Sequence, residues 1–83
     1  MNQVVLYTKQ TCPLCDEAKE LLYKLQAEIP FDLKEKDIYQ DDRLLEKYQL
    51  MIPVIEVNGK IVIFGKIEEN SLRKRLLELV SVD

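Results

Sequence analysis

A three-layer α/β/α sandwich, built on a four-stranded mixed sheet in the order β-α-β-α-β-β-α, is the fold class that this 83-residue sequence predicts. Three observations lead there. The run VVLY at residues 4–7 is apolar and β-favouring throughout, as in a central strand covered on both faces. Helical stripes with apolar residues three and four apart alternate with strand-like segments, so strands joined by a helical crossover should run parallel. Further on, VIEVNGKIVIF holds Asn58-Gly59, the two positive-φ residues that a tight hairpin turn demands. A hairpin joined to a parallel pair makes the sheet mixed, and its apolar faces require helices in both outer layers.

Each element has its own reason. After the first strand, Cys15, Ala18, Leu21, Leu22 and Leu25 recur at helical spacing, and Pro13 suits the first turn, where its missing N–H costs no bond. Pro30 punctuates. Phe31 to Ile38 (FDLKEKDI) then alternates apolar and charged residues, and its lysines mark an edge strand. Asp41 or Asp42 can cap a short helix carrying Leu44, Leu45 and Tyr48. In the hairpin a plain two-residue turn would set Ile55 opposite Val62 and Val54 opposite Ile63, leaving both faces largely apolar. Beyond Gly65 a last helix presents Leu72, Leu76, Leu79 and Val80 inward. No repeat, low-complexity stretch or linker interrupts residues 1–83, which are expected to form a single domain burying about 60–65% of its unfolded surface.

Charge and composition narrow the function. The chain carries 12 basic and 15 acidic residues, net −3, without long single-sign runs, which argues against nucleic acid or an anionic membrane as partner. The residues after Met1, NQVVLYT, lack a signal peptide's basic start, and no apolar stretch reaches the roughly 20 residues that span a bilayer. A cytoplasmic monomer is the expectation. In a reducing compartment a cysteine pair is more often catalytic or metal-binding than a permanent crosslink.

Both cysteines fall in KQTCPLCD, residues 9–16. With Cys12 at the helix N-cap and Pro13 at the first helical position, Cys15 comes about one turn later. The two Cα atoms should then lie roughly 5 to 5.5 Å apart, inside the window for a disulfide. The sulfurs are not equivalent: Cys12 meets the free N–H groups and positive end of the helix, while Cys15 lies on the stripe facing the core. Cys12 is therefore expected to attack and Cys15 to resolve. A free thiol is only about 3% ionised at pH 7, and half-ionisation requires about 2 kcal/mol, of which a helix terminus gives roughly 0.3 to 2. Lys9 adds to that; Asp16 and Glu17 oppose it. A lowered but not extreme Cys12 pKa is expected. Zinc competes for a C-x-x-C pair, but with no histidine and 2 cysteines the chain cannot close a four-ligand thiolate or imidazole site alone, and no resident metal is expected.

With those residues in place, the sequence resembles the glutaredoxin branch of the thioredoxin-like superfamily over nearly its whole length. LYTKQTCPLC is similar to the strand and active-site segment, MIPV to the loop bearing a cis-proline, and NGK to the hairpin before the last helix. The runs CPLCDEA, KDIYQDD and KYQLMIPVIEVNGK look most like a short bacterial-type glutaredoxin-like subgroup. The resemblance implies a thiol-disulfide oxidoreductase with Cys12 as nucleophile and Cys15 as resolving thiol. It implies substrate contacts from Lys9, toward a glutathione carboxylate, from Pro13 and Leu14 between the thiols, from the Ile52 backbone beside a cis Pro53, and from Gly65 and Glu68. Protein or glutathione mixed disulfides would be substrates, with glutathione or a thioredoxin reductase as reductant and no tightly bound cofactor. One segment departs. Many glutathione-using members carry a Gly-Gly-x-Asp-Asp-like stretch where residues 65–69 read GKIEE, and an aromatic where Leu14 stands. Slow turnover with glutathione follows from that departure. Glu68 and Glu69 read equally as acids favouring a helix start. Two other readings stay open: a dimeric metal or iron-sulfur module using Cys12, and a scaffold that docks a partner without chemistry.

Overall fold

The computed structural model describes residues 2–80. Strand β1 (Gln3–Thr8) leads to helix α1 (Pro13–Gln26), strand β2 (Asp32–Asp37), a 3-10 turn (Ile38–Gln40) and helix α2 (Asp42–Tyr48). Strands β3 (Val54–Val57) and β4 (Lys60–Phe64) and helix α3 (Glu69–Leu79) complete the predicted order. The 3-10 turn is an addition that the periodicity did not announce. It forms because the Asp37 carboxylate accepts the Tyr39 N–H at 2.9 Å, just as Asp41 caps α2 through the Arg43 N–H at 2.9 Å.

The sheet order is β2-β1-β3-β4, with β1 parallel to β2 and the other neighbours antiparallel. β1 is central because residues on both its faces are buried, and the charged β2 is an edge as its lysines require. Val4 and Leu6 point into the larger core with Ala18, Leu22 and Leu25 of α1, Leu72 and Leu76 of α3, and Ile55 and Val57 of β3. Tyr7 and Val54 point the other way, toward Ile38 and Tyr48, where the two tyrosine rings meet at 4.6 Å between centroids. Helices thus cover both faces, and the short α2 covers the face nearest the C-terminal end of β1.

The hairpin corrects the expected register. Asn58 and Gly59 take φ of 48° and 87° and form the tight turn, and Val57 pairs Lys60 and Glu56 pairs Ile61 as that turn dictates. A bulge at Ile55/Glu56 then sets Ile55 opposite Ile63 and Val54 opposite Phe64, in place of Val62 and Ile63. Val62 is the extra residue, and both Val62 and Ile63 pack against the larger core. Strict alternation would have turned one of them away. A fully buried aliphatic side chain gains about 1.5–3 kcal/mol, so even partial burial of a second one matches the roughly 0.5–1.5 kcal/mol of a disrupted ladder bond. The shift also brings Gly65 opposite Pro53.

Candidate active site

The C-terminal end of β1 and the N-terminal end of β3 lie side by side, since Tyr7 pairs Val54. The loop carrying the thiols therefore emerges beside the loop carrying Ile52 and Pro53. Cys12 is the N-cap of α1, extended at φ −129° and ψ 101°, and Pro13 follows at the first helical position. Its Sγ accepts the Cys15 N–H at 3.2 Å, so sulfur takes the place a serine or aspartate oxygen usually fills at a helix start. Cys15 sits one turn on, its Cα 5.1 Å from that of Cys12, and the two sulfurs form a disulfide. Exposure separates them: 8% at Cys12 against 1% at Cys15. The more accessible sulfur also holds the helix N–H, a donor that favours a thiolate once the disulfide opens.

Thr11, just before Cys12, has φ 55°, in the left-handed region where a β-branched residue is uncommon. This turn brings the chain from β1 into the capping geometry. Leu14 is 39% exposed, and Pro13 is exposed beside it. Lys9 is half-buried and lines a groove of about 410 Å³ with Gln10, Thr11, Asp37 and Tyr39. Among the described residues Lys9 has no ion-pair partner, whereas Asp37 across the groove is engaged by the Tyr39 N–H. Tyr39, with 62% of its surface exposed, is the wall that sequence reasoning did not single out. Its signal was the Asp-x-Tyr spacing of KDIYQDD, an Asx-type turn that fixes an aromatic ring at the end of an edge strand.

The Ile52–Pro53 peptide bond is cis and Pro53 is fully buried. The Ile52 N–H donates to the Tyr48 carbonyl at 3.1 Å, and the Ile52 carbonyl accepts no bond among the described residues. Gly65, at φ 79°, donates its N–H to both Met51 and Pro53 carbonyls, at 3.1 and 2.9 Å. It is therefore joined to the loop rather than facing outward. Glu68 is exposed and stands at the N-cap of α3 without a side-chain bond, as expected for a side chain too long to reach its own helix N–H groups. Glu69 pairs with Lys24 of α1 at 2.8 Å and Arg73 at 3.2 Å, and Arg73 reaches Glu28 at 2.9 Å. The hydrogen bond from Lys24 lowers the Glu69 pKa. The structure brings Cys12, Cys15, Lys9, Pro13, Leu14, Ile52, Pro53 and Gly65 to one end of the sheet.

Beneath that end, Tyr7 donates to Glu56 at 3.3 Å, and burial together with the Glu56 charge pushes its pKa up to about 12. Tyr7 belongs to the core, as its place in a central strand led one to expect.

Solved structures share this fold. An X-ray structure of a structural-genomics target protein, XcR50 from X. campestris, is similar at 26% identity and a TM-score of 0.78, covering 90% of this chain and 96% of that one. The solution structure of protein Ne2328 from Nitrosomonas europaea is similar at 23% identity and a TM-score of 0.74, covering 86% of each. A mutant thioredoxin from Halobacterium salinarum shares the fold at 14% identity and a TM-score of 0.75, covering 99% of this chain and 77% of that one. The fold is thioredoxin-like, and a C-x-x-C pair closed as a disulfide at a helix start supports a redox role. The model of the glutaredoxin-like domain (DUF836) matches residues 3–77, so the chain belongs to the glutaredoxin-like domain family.

Proposed function

We propose that the protein is a dithiol oxidoreductase that reduces disulfides in proteins or glutathione adducts. The observation that carries this reading is the Cys15 N–H held on the Cys12 sulfur, with the buried Cys15 sulfur in bonding position behind it. In the reduced protein that N–H and the helix end favour the Cys12 thiolate, with Lys9 adding to them and Asp16, in the first turn, opposing. The thiolate attacks one sulfur of the substrate disulfide, forming a mixed disulfide and expelling a substrate thiolate, which takes up a proton. Cys15 then loses its proton and attacks the Cys12 sulfur, releasing the second substrate thiol and closing the Cys12–Cys15 bond. Two electrons pass from the pair to the substrate. Glutathione or a flavin-dependent thioredoxin reductase restores the dithiol.

The surroundings support a peptide-like substrate. The Ile52 carbonyl accepts a backbone N–H from the docked segment, Leu14 and Pro13 border it, and Lys9 draws a carboxylate into the groove that Tyr39 closes. Glu69 is held in a cluster linking α1 and α3, which leaves the Lys66–Glu69 stretch with little to hold a γ-glutamyl end. Protein disulfides are therefore the better substrates, and glutathione turnover is slow. The cytoplasm is the compartment in which such a dithiol stays reduced, and the protein acts there as a monomer.

Trapping tests the reading. Cys15→Ser removes the resolving thiol, so mixed disulfides should accumulate on Cys12 and be released by dithiothreitol. If reduced Cys15→Ser captures no partner from a lysate prepared without reductant, so that its disulfides persist, while Cys12 alkylates readily, the oxidoreductase reading fails.

A further inference from the structure

We infer that Gly65 is a positioning residue for the segment on which a disulfide substrate docks, acting through Met51 and Pro53. The inference rests on the exchange reading above and names a residue that sets its geometry. The Gly65 amide is bonded to the carbonyls immediately before and after Ile52, at 3.1 and 2.9 Å. The Ile52 N–H is itself tied to Tyr48 at 3.1 Å. With its neighbours' carbonyls and its own N–H anchored, Ile52 has one backbone group left for a docked chain, its carbonyl. The orientation of that carbonyl is therefore set from the end of β4, by one amide.

Backbone conformation makes glycine the residue for this position. At φ 79° the chain turns out of β4 toward α3 while the amide stays on both carbonyls, and residues with a Cβ disfavour that region. A Cβ built on Gly65 meets nothing within 4 Å, so alanine there introduces no clash. Its effect comes through φ alone: with α3 held on the core by Leu72 and Leu76, relaxing to a negative φ has to rotate the Phe64–Gly65 peptide, which carries its N–H off the Met51 and Pro53 carbonyls. Asparagine, which tolerates the left-handed region, should keep the amide in place. The β4 bulge is part of the same device, because the expected register would have put Phe64, not Gly65, opposite Pro53.

The test compares Gly65→Ala and Gly65→Asn in the full chain. Reduced protein is mixed with insulin, and the single-turnover rate of disulfide reduction is followed, so that no recycling reductant enters. Gly65→Ala should reduce insulin about tenfold more slowly, the population penalty of a Cβ at positive φ, and Gly65→Asn should stay within about twofold of the wild type. The pH midpoint for iodoacetamide alkylation of Cys12 should be the same in all three, since the sulfur and its helix are untouched. Amide hydrogen exchange at Ile52 should rise about tenfold in Gly65→Ala and remain near wild type in Gly65→Asn. Equal insulin rates for wild type and Gly65→Ala, or equal losses in the two variants, overturn the inference. A wild type that leaves insulin oxidised would instead sink the exchange reading, and Ile52 exchange then decides alone: no change in Gly65→Ala overturns the role of Gly65.

Discussion

Two helix starts stand out in this molecule, and they do opposite things with similar parts. At α1 the capping group is the Cys12 sulfur, proline holds the first turn, and the Cys15 N–H is turned onto the reactive atom. At α3 the N-cap residue, Glu68, makes no side-chain bond, and the acid of the first turn, Glu69, is bound to Lys24 and Arg73. The first start presents its donors to chemistry; the second commits its charge to joining two helices over the larger core. A helix terminus thus becomes a reactive site through what its N–H groups meet, while acids nearby decide little by themselves.

The comparison breaks most decisively at Cys12. Replacing it by serine exchanges a thiolate for a hydroxyl that does not ionise near neutral pH, so disulfide reduction should fall by about a thousandfold or more. Thermal unfolding should move little from that of the reduced wild type, because a serine oxygen caps the helix at least as well as sulfur. Retained turnover in Cys12→Ser, measured with insulin, would mean that the α1 start is scaffold like the α3 start.

Truncating the anchor of α3 probes the other side. Leu72 is fully buried in the larger core, and Leu72→Ala should cost about 2–5 kcal/mol in denaturant unfolding. The alkylation midpoint of Cys12 should not follow, since nothing at the α3 start touches the sulfur. A midpoint that moves with Leu72→Ala would show the two starts to be coupled.

A smaller effect lies beneath the thiols. Tyr7 is protonated in the fold up to about pH 12, while the unfolded phenol ionises near 10. Both states hold the proton below 10, so the contribution is fully present there and is lost as pH rises from about 10 to about 12. The displacement is worth at most a few kcal/mol, and solvent reaching the Glu56 side cuts this to about 1 kcal/mol. Tyr7→Phe should therefore lose less stability than the wild type between pH 9 and 11.5 in urea melts. Identical losses would remove Tyr7 as a source of the alkaline limb.

How much of this was legible in the sequence follows the range of each interaction. The sulfur-capped start of α1 was readable because spacing, proline and helical stripe all lie within one local stretch, and the edge position of β2 was written in its lysines. The bulge was not, since what selects it is the gain from packing Val62 and Ile63 on a core assembled from distant elements. The hydrogen bonds of the Gly65 amide escaped for the same reason: the carbonyls flanking Ile52 belong to another element, and local spacing carries no trace of them, whereas Tyr39 left its sign in the Asp-x-Tyr spacing.

Glu69 gives the smallest expected effect and the sharpest reading of the comparison. The Lys24 hydrogen bond lowers its pKa, so its contribution is present above the ordinary carboxylate range and is lost as pH falls through the folded value. Glu69→Gln should thus flatten the acid side of the stability profile while changing the melting temperature at pH 7 only slightly, as fits an exposed pair. If the α3 start is scaffold, the same variant should leave the KM for a glutathione mixed disulfide of a small thiol unchanged. A several-fold rise in that KM, with the insulin rate untouched, would assign Glu69 to the ammonium of the γ-glutamyl group. The α3 start would then read substrate after all, and its ion pairs with Lys24 and Arg73 would be the resting partners that glutathione displaces.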